Sequence, residues 1–354
     1  MKKTFLTISV LLLVLGCRDP FDFDYAQIES PQVVIEGFIS DRGTEHVVKV
    51  SYTATINDDN LIETQFIEDA SVRIEDDLGG FTTFRHREAG VYLSAPNYRA
   101  REGRTYTLVV TQSNGEVYQS APKTMPPASP ASAKIEYTPE TRAGIVNDGL
   151  QDLEGATIKA TIDKDNERHF YQWLIANYWI YEADLAPEDS PIKYCYVQDF
   201  DESVIYLLQD NPIGEGGATS YEYELGFIPN DPKVQHDFGF EGRLLTLNKE
   251  DYEFWELVQK LSANSGGLFD AAPFSIEGNM VERASGEKIL GYFGVYRESI
   301  DRVFFNEAEL GFELNTYADC NPPPGVPPDY HCYDCRTLLT QENFGIIPPV
   351  WWRN

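Results

Sequence analysis

Residues 170–181 read FYQWLIANYWIY, and this stretch is apolar on both parities. Tyr171, Trp173, Ile175, Trp179 and Tyr181 fall on one face of an extended chain, and Phe170, Leu174, Ala176, Tyr178 and Ile180 on the other. Successive side chains of a strand point to opposite sides of its sheet, so a strand apolar on both sides is covered on both. The stretch is therefore read as a central strand of a β-rich domain. Ile158 to Ile162 before it, and Phe293, Val295, Val303, Phe304 and Phe305 after it, read as further strands. One long helix is expected between them. Asn248 is placed to cap it, Glu250 and Asp251 suit its positive end, Tyr252, Trp255, Val258 and Leu261 recur at helical spacing, and Gly266 and Gly267 stop it. The chain closes on Pro348, Pro349, Val350, Trp351 and Trp352, a stiff apolar tail expected to dock on the body.

Working upstream, Gln32 to about Met125 is a succession of short strand-like runs with turn residues between them, the pattern of a β-sandwich. Val33 to Ile35 and Gly37 to Ile39 open it, His46 to Tyr52 puts Val48, Val50 and Tyr52 on one face, and Asp76 to Gly80 suits a hairpin turn. Ala70, Val72, Ile74, Gly79, Gly90, Tyr92, Gly103, Tyr106 and Leu108 fall in an order that resembles immunoglobulin-like or carboxypeptidase-regulatory-like modules. Pro122, Pro126, Pro127 and Pro130 then mark a boundary without apolar period. The expected fold is mainly β: an immunoglobulin-like sandwich over 31–125, then a larger β-rich domain over 126–354 with one or two helices.

The start of the chain has a different character. Lys2 and Lys3 precede an apolar run from Phe5 to Leu15, followed by Gly16 and Cys17. The run is too short to span a bilayer, which takes about 20 residues of helix. It reads as a secretory signal over 1–16 ending at a lipidation site on Cys17, with 17–30 as a tether. Membrane attachment is thus expected through acyl chains, each buried methylene contributing about 0.8 kcal/mol. The formal net charge is -29, and loss of Lys2 and Lys3 with the signal leaves -31. Such a chain lacks the basic footprint that nucleic acid or an anionic lipid surface requires.

Four cysteines remain: Cys195, Cys320, Cys332 and Cys335. In an oxidising compartment they read as two disulfides, with three connectivities open. The pairing that joins Cys320 to one of Cys332 and Cys335, and Cys195 to the other, staples the proline-rich 321–328 loop to the core. The bridge from Cys195 then closes a long loop, the case in which chain entropy stabilises most. A redox reading of Cys332 and Cys335 lacks a helix start. A zinc reading of Cys320, His331, Cys332 and Cys335 suffers from adjacent ligands and lacks a second paired motif. Asp163, Asp165, Asn166 and Glu167 suggest a calcium loop, but Arg168 stands where such a loop needs glycine, so a solvated turn is expected, as it is at Asn57 to Asn60. No nucleophile elbow, zincin helix, phosphate loop or dinucleotide fingerprint occurs in the sequence. No catalytic residue, metal or cofactor is expected.

Taken together, several segments resemble a Bacteroidota outer-membrane lipoprotein family, a domain of unknown function often encoded beside TonB-dependent receptors. They are Cys17 with Asp19, Pro20 and Phe21; Val33 to Gly37; Phe269 and Asp270 with Pro273, Ile276, Glu277, Gly278 and Asn279; Leu290 to Phe293; and Cys332, Asp334 and Cys335 near a terminal Trp. The resemblance implies a non-catalytic, cell-surface outer-membrane lipoprotein that partners a TonB-dependent transporter and captures its ligand or gates its mouth. Asp19, Asp22 and Asp24 after the acylated cysteine fit export to the cell exterior. Tyr178, Trp179, Trp351 and Trp352 are the candidate aromatic ligand platform. The alternatives are a structural subunit of a larger outer-membrane assembly and an envelope-polymer hydrolase.

Overall fold

Strand β1 (Val33–Ser40) turns Val33, Ile35 and Ile39 inward, and β2 (Val47–Tyr52) meets them with Val48 and Val50, all buried. The computed structural model describes residues 31–56, 62–129, 131–146, 149–163, 165–200, 205–209, 219–262, 276–313, 320, 322, 325–338 and 344–352. Five longer strands follow in the first body, β3 (Ser71–Asp76), β4 (Phe81–His86), β5 (Val91–Leu93), β6 (Thr105–Thr111) and β7 (Val117–Ser120), beside two-residue strands at Thr55–Ile56, Ile62–Glu63 and Lys123–Thr124. The β3–β4 turn forms as the Asp and Gly content suggests. Asp76 Oδ1 accepts the amides of Leu78 and Gly80, and Gly79 takes φ 81°, a conformation open to glycine. β4 passes between the two layers of the sandwich, since Phe81 to Phe84 pair with β3 and Arg85 and His86 with β5. Ile35, Val50, Ile74, Tyr92 and Leu108 fill the space between the layers.

The second body holds β8 (Lys134–Val146), β9 (Gly149–Asp163), β10 (Phe170–Glu182), β11 (Tyr194–Phe200), β12 (Ser220–Pro229), β13 (Phe238–Leu247), helix α1 (Lys249–Ser262) and, after β14 (Met280–Glu282) and β15 (Lys288–Ile289), which return to pair onto β7 of the first body, β16 (Phe293–Phe305), followed by a short helix, Glu307–Leu310. β10 is central, with β13 on one side and β11 and the short strand Tyr206–Gln209 on the other. Tyr171, Trp173 and Ile175 pack against the three-stranded sheet β8–β9–β12. The opposite face is covered by α1 at one end and by the C-terminal tryptophans at the other. Both faces are thus roofed, as the doubly apolar sequence requires.

The return strand β16 joins the two bodies. Phe293, Val295, Val303, Phe304 and Phe305 belong to one strand of 13 residues, where the sequence suggested several. Its first residues lie parallel to the Gly37–Ser40 end of β1, and the rest runs antiparallel to β13. One 16-stranded sheet consequently passes through both bodies, and Met280, Phe293 and Val295 enter the N-terminal core. Residue pattern reports that a segment is extended and buried; it carries no record of which half of the chain it pairs with. α1 forms as expected after Asn248, while Gly266 and Gly267, the expected stop, lie outside the described residues.

The seam is close enough to exclude side chains. Ile35 N–H donates to Leu290 O at 3.1 Å and Gly37 N–H to Tyr292 O at 3.1 Å. Between them Gly291 sits at φ +107°, and a Cβ there stands 1.9 Å from Ile35 O. Gly291→Ala combines a backbone conformation unfavourable to L-residues with overpacking against main chain. The expected loss is about 3 kcal/mol, read as a lower urea midpoint.

Candidate ligand site

The seam holds a cavity of about 500 Å³ that is open to solvent. Its walls come from elements far apart in sequence. Asn248 fixes the start of α1 by donating from Nδ2 to Thr124 O at 2.8 Å, which directs Phe254, Trp255 and Val258 toward the sheet. The floor is the face of β10 and β13 that carries Gln172, Leu174 and Leu245, with Tyr296 from β16 and Phe38 from β1 beside it. The remaining wall is Ile276, Gly278 and Gly291, where a Cβ on Gly278 would meet Gly291 O at 1.7 Å. Asn279 locks this wall, donating to Phe293 O and accepting from Phe293 N, both at 2.8 Å.

A buried ionic cluster anchors one side. Tyr292 donates its hydroxyl to Asp251 Oδ1 at 2.5 Å, and Lys123 Nζ lies 2.8 Å from that hydroxyl and 2.7 Å from Asp251 Oδ1. Asp251 is fully buried and its Oδ2 has no hydrogen-bond partner. Phe254 stacks on the Tyr292 ring at 3.8 Å. Burial, followed by the charge of Asp251, pushes the phenols of Tyr292 and Tyr296 far above their ordinary value, so both stay protonated at neutral pH. The cluster ties the proline-rich connection, the first turn of α1 and the approach to β16 into one unit.

The cavity itself is mostly apolar, with few polar groups facing it. Gln172 is 4% exposed, and its side-chain amide bonds to no described residue. Glu36 and Lys49, opposite each other on β1 and β2, stand exposed at the rim without forming an ion pair. An apolar cavity with sparse, unspent polar groups suits binding and orientation of a small molecule.

The aromatic residues singled out in the sequence lie elsewhere and do not form one platform. Adjacent residues of a strand face opposite ways, so Tyr178 and Trp179 separate. Tyr178 is 3% exposed and meets Trp351 edge-on at 4.5 Å, with Trp352 buried beside it against Tyr196. Trp179 lies on the other face under Lys233, whose Nζ is 4.6 Å from the ring. Burial, then the nearby Glu241 carboxylate, pushes the Tyr178 phenol up to about 12. Tyr178, Trp351 and Trp352 are packing that seals the end of the central sheet.

Two disulfides join Cys195 to Cys335 and Cys320 to Cys332, the favoured pairing. His331 adjoins the second bridge, whose sulfurs are bonded to each other and are not free thiolates for zinc. Asp165 accepts the Glu167 amide and faces His169 at 3.0 Å, while Asp163 faces Lys134 at 3.3 Å, the arrangement of a turn. Cys17, Asn57 to Asn60, and Phe269, Asp270 and Pro273 lie outside the described residues.

The cavity was not legible as a site, because Glu36, Gln172, Trp255 and Tyr292 share no local motif. A signal did exist in the glycines: Val33 to Gly37, Ile276 to Asn279 and Leu290 to Phe293, three of the segments that carry the resemblance, converge on its wall. A family model described as a domain of unknown function matches residues 18–302, most of the chain. No curated protein matches it.

Proposed function

Since the chain belongs to the DUF4249 family, a domain of unknown function, we propose its role from its own chemistry: a surface lipoprotein that captures a small ligand beside a TonB-dependent outer-membrane transporter. The observation that carries capture is the seam cavity, about 500 Å³ with an unspent buried amide and an aromatic wall. The short basic and apolar leader ending at Cys17 supports acylation and a place on the outer membrane, facing the exterior. The resemblance to Bacteroidota lipoproteins encoded beside TonB-dependent receptors supports the transporter as partner.

The β8–β9 hairpin also supports a reading in which the protein contacts another. Beyond Gly155, where pairing with β12 ends, the β8–β9 hairpin continues as a two-stranded ribbon, and Ile145 and Leu150 face each other near its tip, each 78% exposed. Exposed apolar tips of this kind favour contact with another protein.

The test is purification of the tagged lipoprotein from its native outer membrane in mild detergent, with mass spectrometry of what accompanies it. Stoichiometric recovery of one TonB-dependent transporter is expected. Recovery of several assembly proteins would favour a structural subunit, and recovery of the lipoprotein alone would remove both readings and reopen the hydrolase.

A further inference from the structure

We propose that the seam cavity binds a short apolar peptide, with the peptide's amide group on Gln172 and its charged ends on Glu36 and Lys49. The inference rests on the ligand-capture reading and deepens it by naming the ligand's class.

Each class of small ligand makes a different demand on the walls. A sugar presents hydroxyls all round, and needs many polar partners. Here the Tyr292 hydroxyl is already taken by Asp251 and Lys123, and the Gln172 amide, on a residue only 4% exposed, faces the space with no hydrogen bond to a described residue. An acyl chain makes the opposite demand. It would seal Gln172 against hydrocarbon with neither its donor nor its acceptor used, an unfavourable way to bury an amide.

A peptide group is both donor and acceptor, so one primary amide can serve it with both functions. Apolar side chains on either side of that group then fill the space between Phe38, Trp255 and Val258. The rim completes the match: an acid and a base, unpaired with each other, answer a free amine and a free carboxylate. Cavity volume agrees, since sites for small molecules run from about 300 to 1,000 Å³.

The experiment is calorimetric titration of the full-length lipoprotein in detergent with leucyl-phenylalanyl-leucine, lauric acid and maltotriose. Saturable binding of the peptide is expected. Gln172→Leu, close in size and still compatible with a strand, is expected to weaken it about tenfold, and Val258→Trp to abolish it by filling the space. A peptide blocked at both ends is expected to bind about threefold more weakly than the free one, a difference that disappears in Glu36→Gln combined with Lys49→Gln. Melting curves show whether each variant is folded; if Val258→Trp is not, Gln172→Leu decides. Binding of lauric acid or maltotriose in preference to the peptide, peptide binding indifferent to Gln172→Leu, or no binding at all would overturn the proposal. A peptide-binding protein that purifies without a transporter would leave this inference standing and remove the transporter partnership instead.

Discussion

Replacing Glu241 by alanine is expected to lower the unfolding free energy by about 3–5 kcal/mol, the loss typical of breaking a buried ion pair from one side. Glu241 lies on β13 with its side chain fully buried. Its Oε1 accepts from Arg243 Nε at 2.6 Å and its Oε2 from Arg302 Nε at 2.6 Å, so the carboxylate bridges two guanidinium groups. Arg302 in turn lies 4.3 Å over the ring of Trp351, and Arg243 also faces Glu298, which accepts the Ser40 hydroxyl at 2.7 Å. The network therefore runs from β1 through β16 and β13 to the C-terminal tryptophans. Glu241→Ala leaves two partly buried cations without their shared partner. Exchanging all three residues together, Glu241→Leu with Arg243→Met and Arg302→Met, is expected to recover much of the loss, because a fully apolar set carries no desolvated charge. Denaturant unfolding of the purified variants measures both. A loss under 1 kcal/mol for Glu241→Ala would mean that the carboxylate does not organise this face.

The second large effect concerns the disulfides, which differ in what they close. Cys195 and Cys335 are 140 residues apart, and Cys320 and Cys332 are 12 apart. In the chain-entropy description the stabilisation grows with the logarithm of loop length, to about 5 kcal/mol for the long bridge and about 3 kcal/mol for the short one. Cys195→Ser with Cys335→Ser is expected to cost roughly 2 kcal/mol more than Cys320→Ser with Cys332→Ser. Packing adds to the contrast, since Cys195 and Cys335 share a small core with Tyr181, Ala183 and Val197. Thermal melts of the two double variants give the comparison. Equal melting temperatures would show that loop length does not set the contribution of either bridge.

What could be read from the sequence was whatever is local. The alternation of Val48 and Val50, the acid and glycine turn at Asp76 to Gly80, the helix that follows Asn248 and the doubly apolar run from Phe170 each announce their own structure, because a strand or helix is decided within a few residues. Pairing across the chain left no such trace. Phe293 to Tyr296 is uncharged while Arg297, Glu298, Asp301 and Arg302 follow in the same strand, yet nothing in either part names its partner: the first adds to β1 and the second to β13. The site followed the same rule. Tyr178 and Trp179 stood out by being large and aromatic, but size is what a core also selects, and Tyr178 is packed away. Gln172 was passed over within the same run, as one polar residue among apolar ones. Its meaning is set by Leu245, Trp255 and Tyr296, which reach the same space from three other elements.

On the proposed reading, the seam cavity holds the ligand of a tethered capture protein. Its most direct test is to purify the wild type and Val258→Trp from their native membranes, denature each, and identify the small molecules released by mass spectrometry. An apolar peptide released in near-stoichiometric amount from the wild type and missing from a folded Val258→Trp is the expected result. The same molecules from both proteins, or none from either, would contradict it.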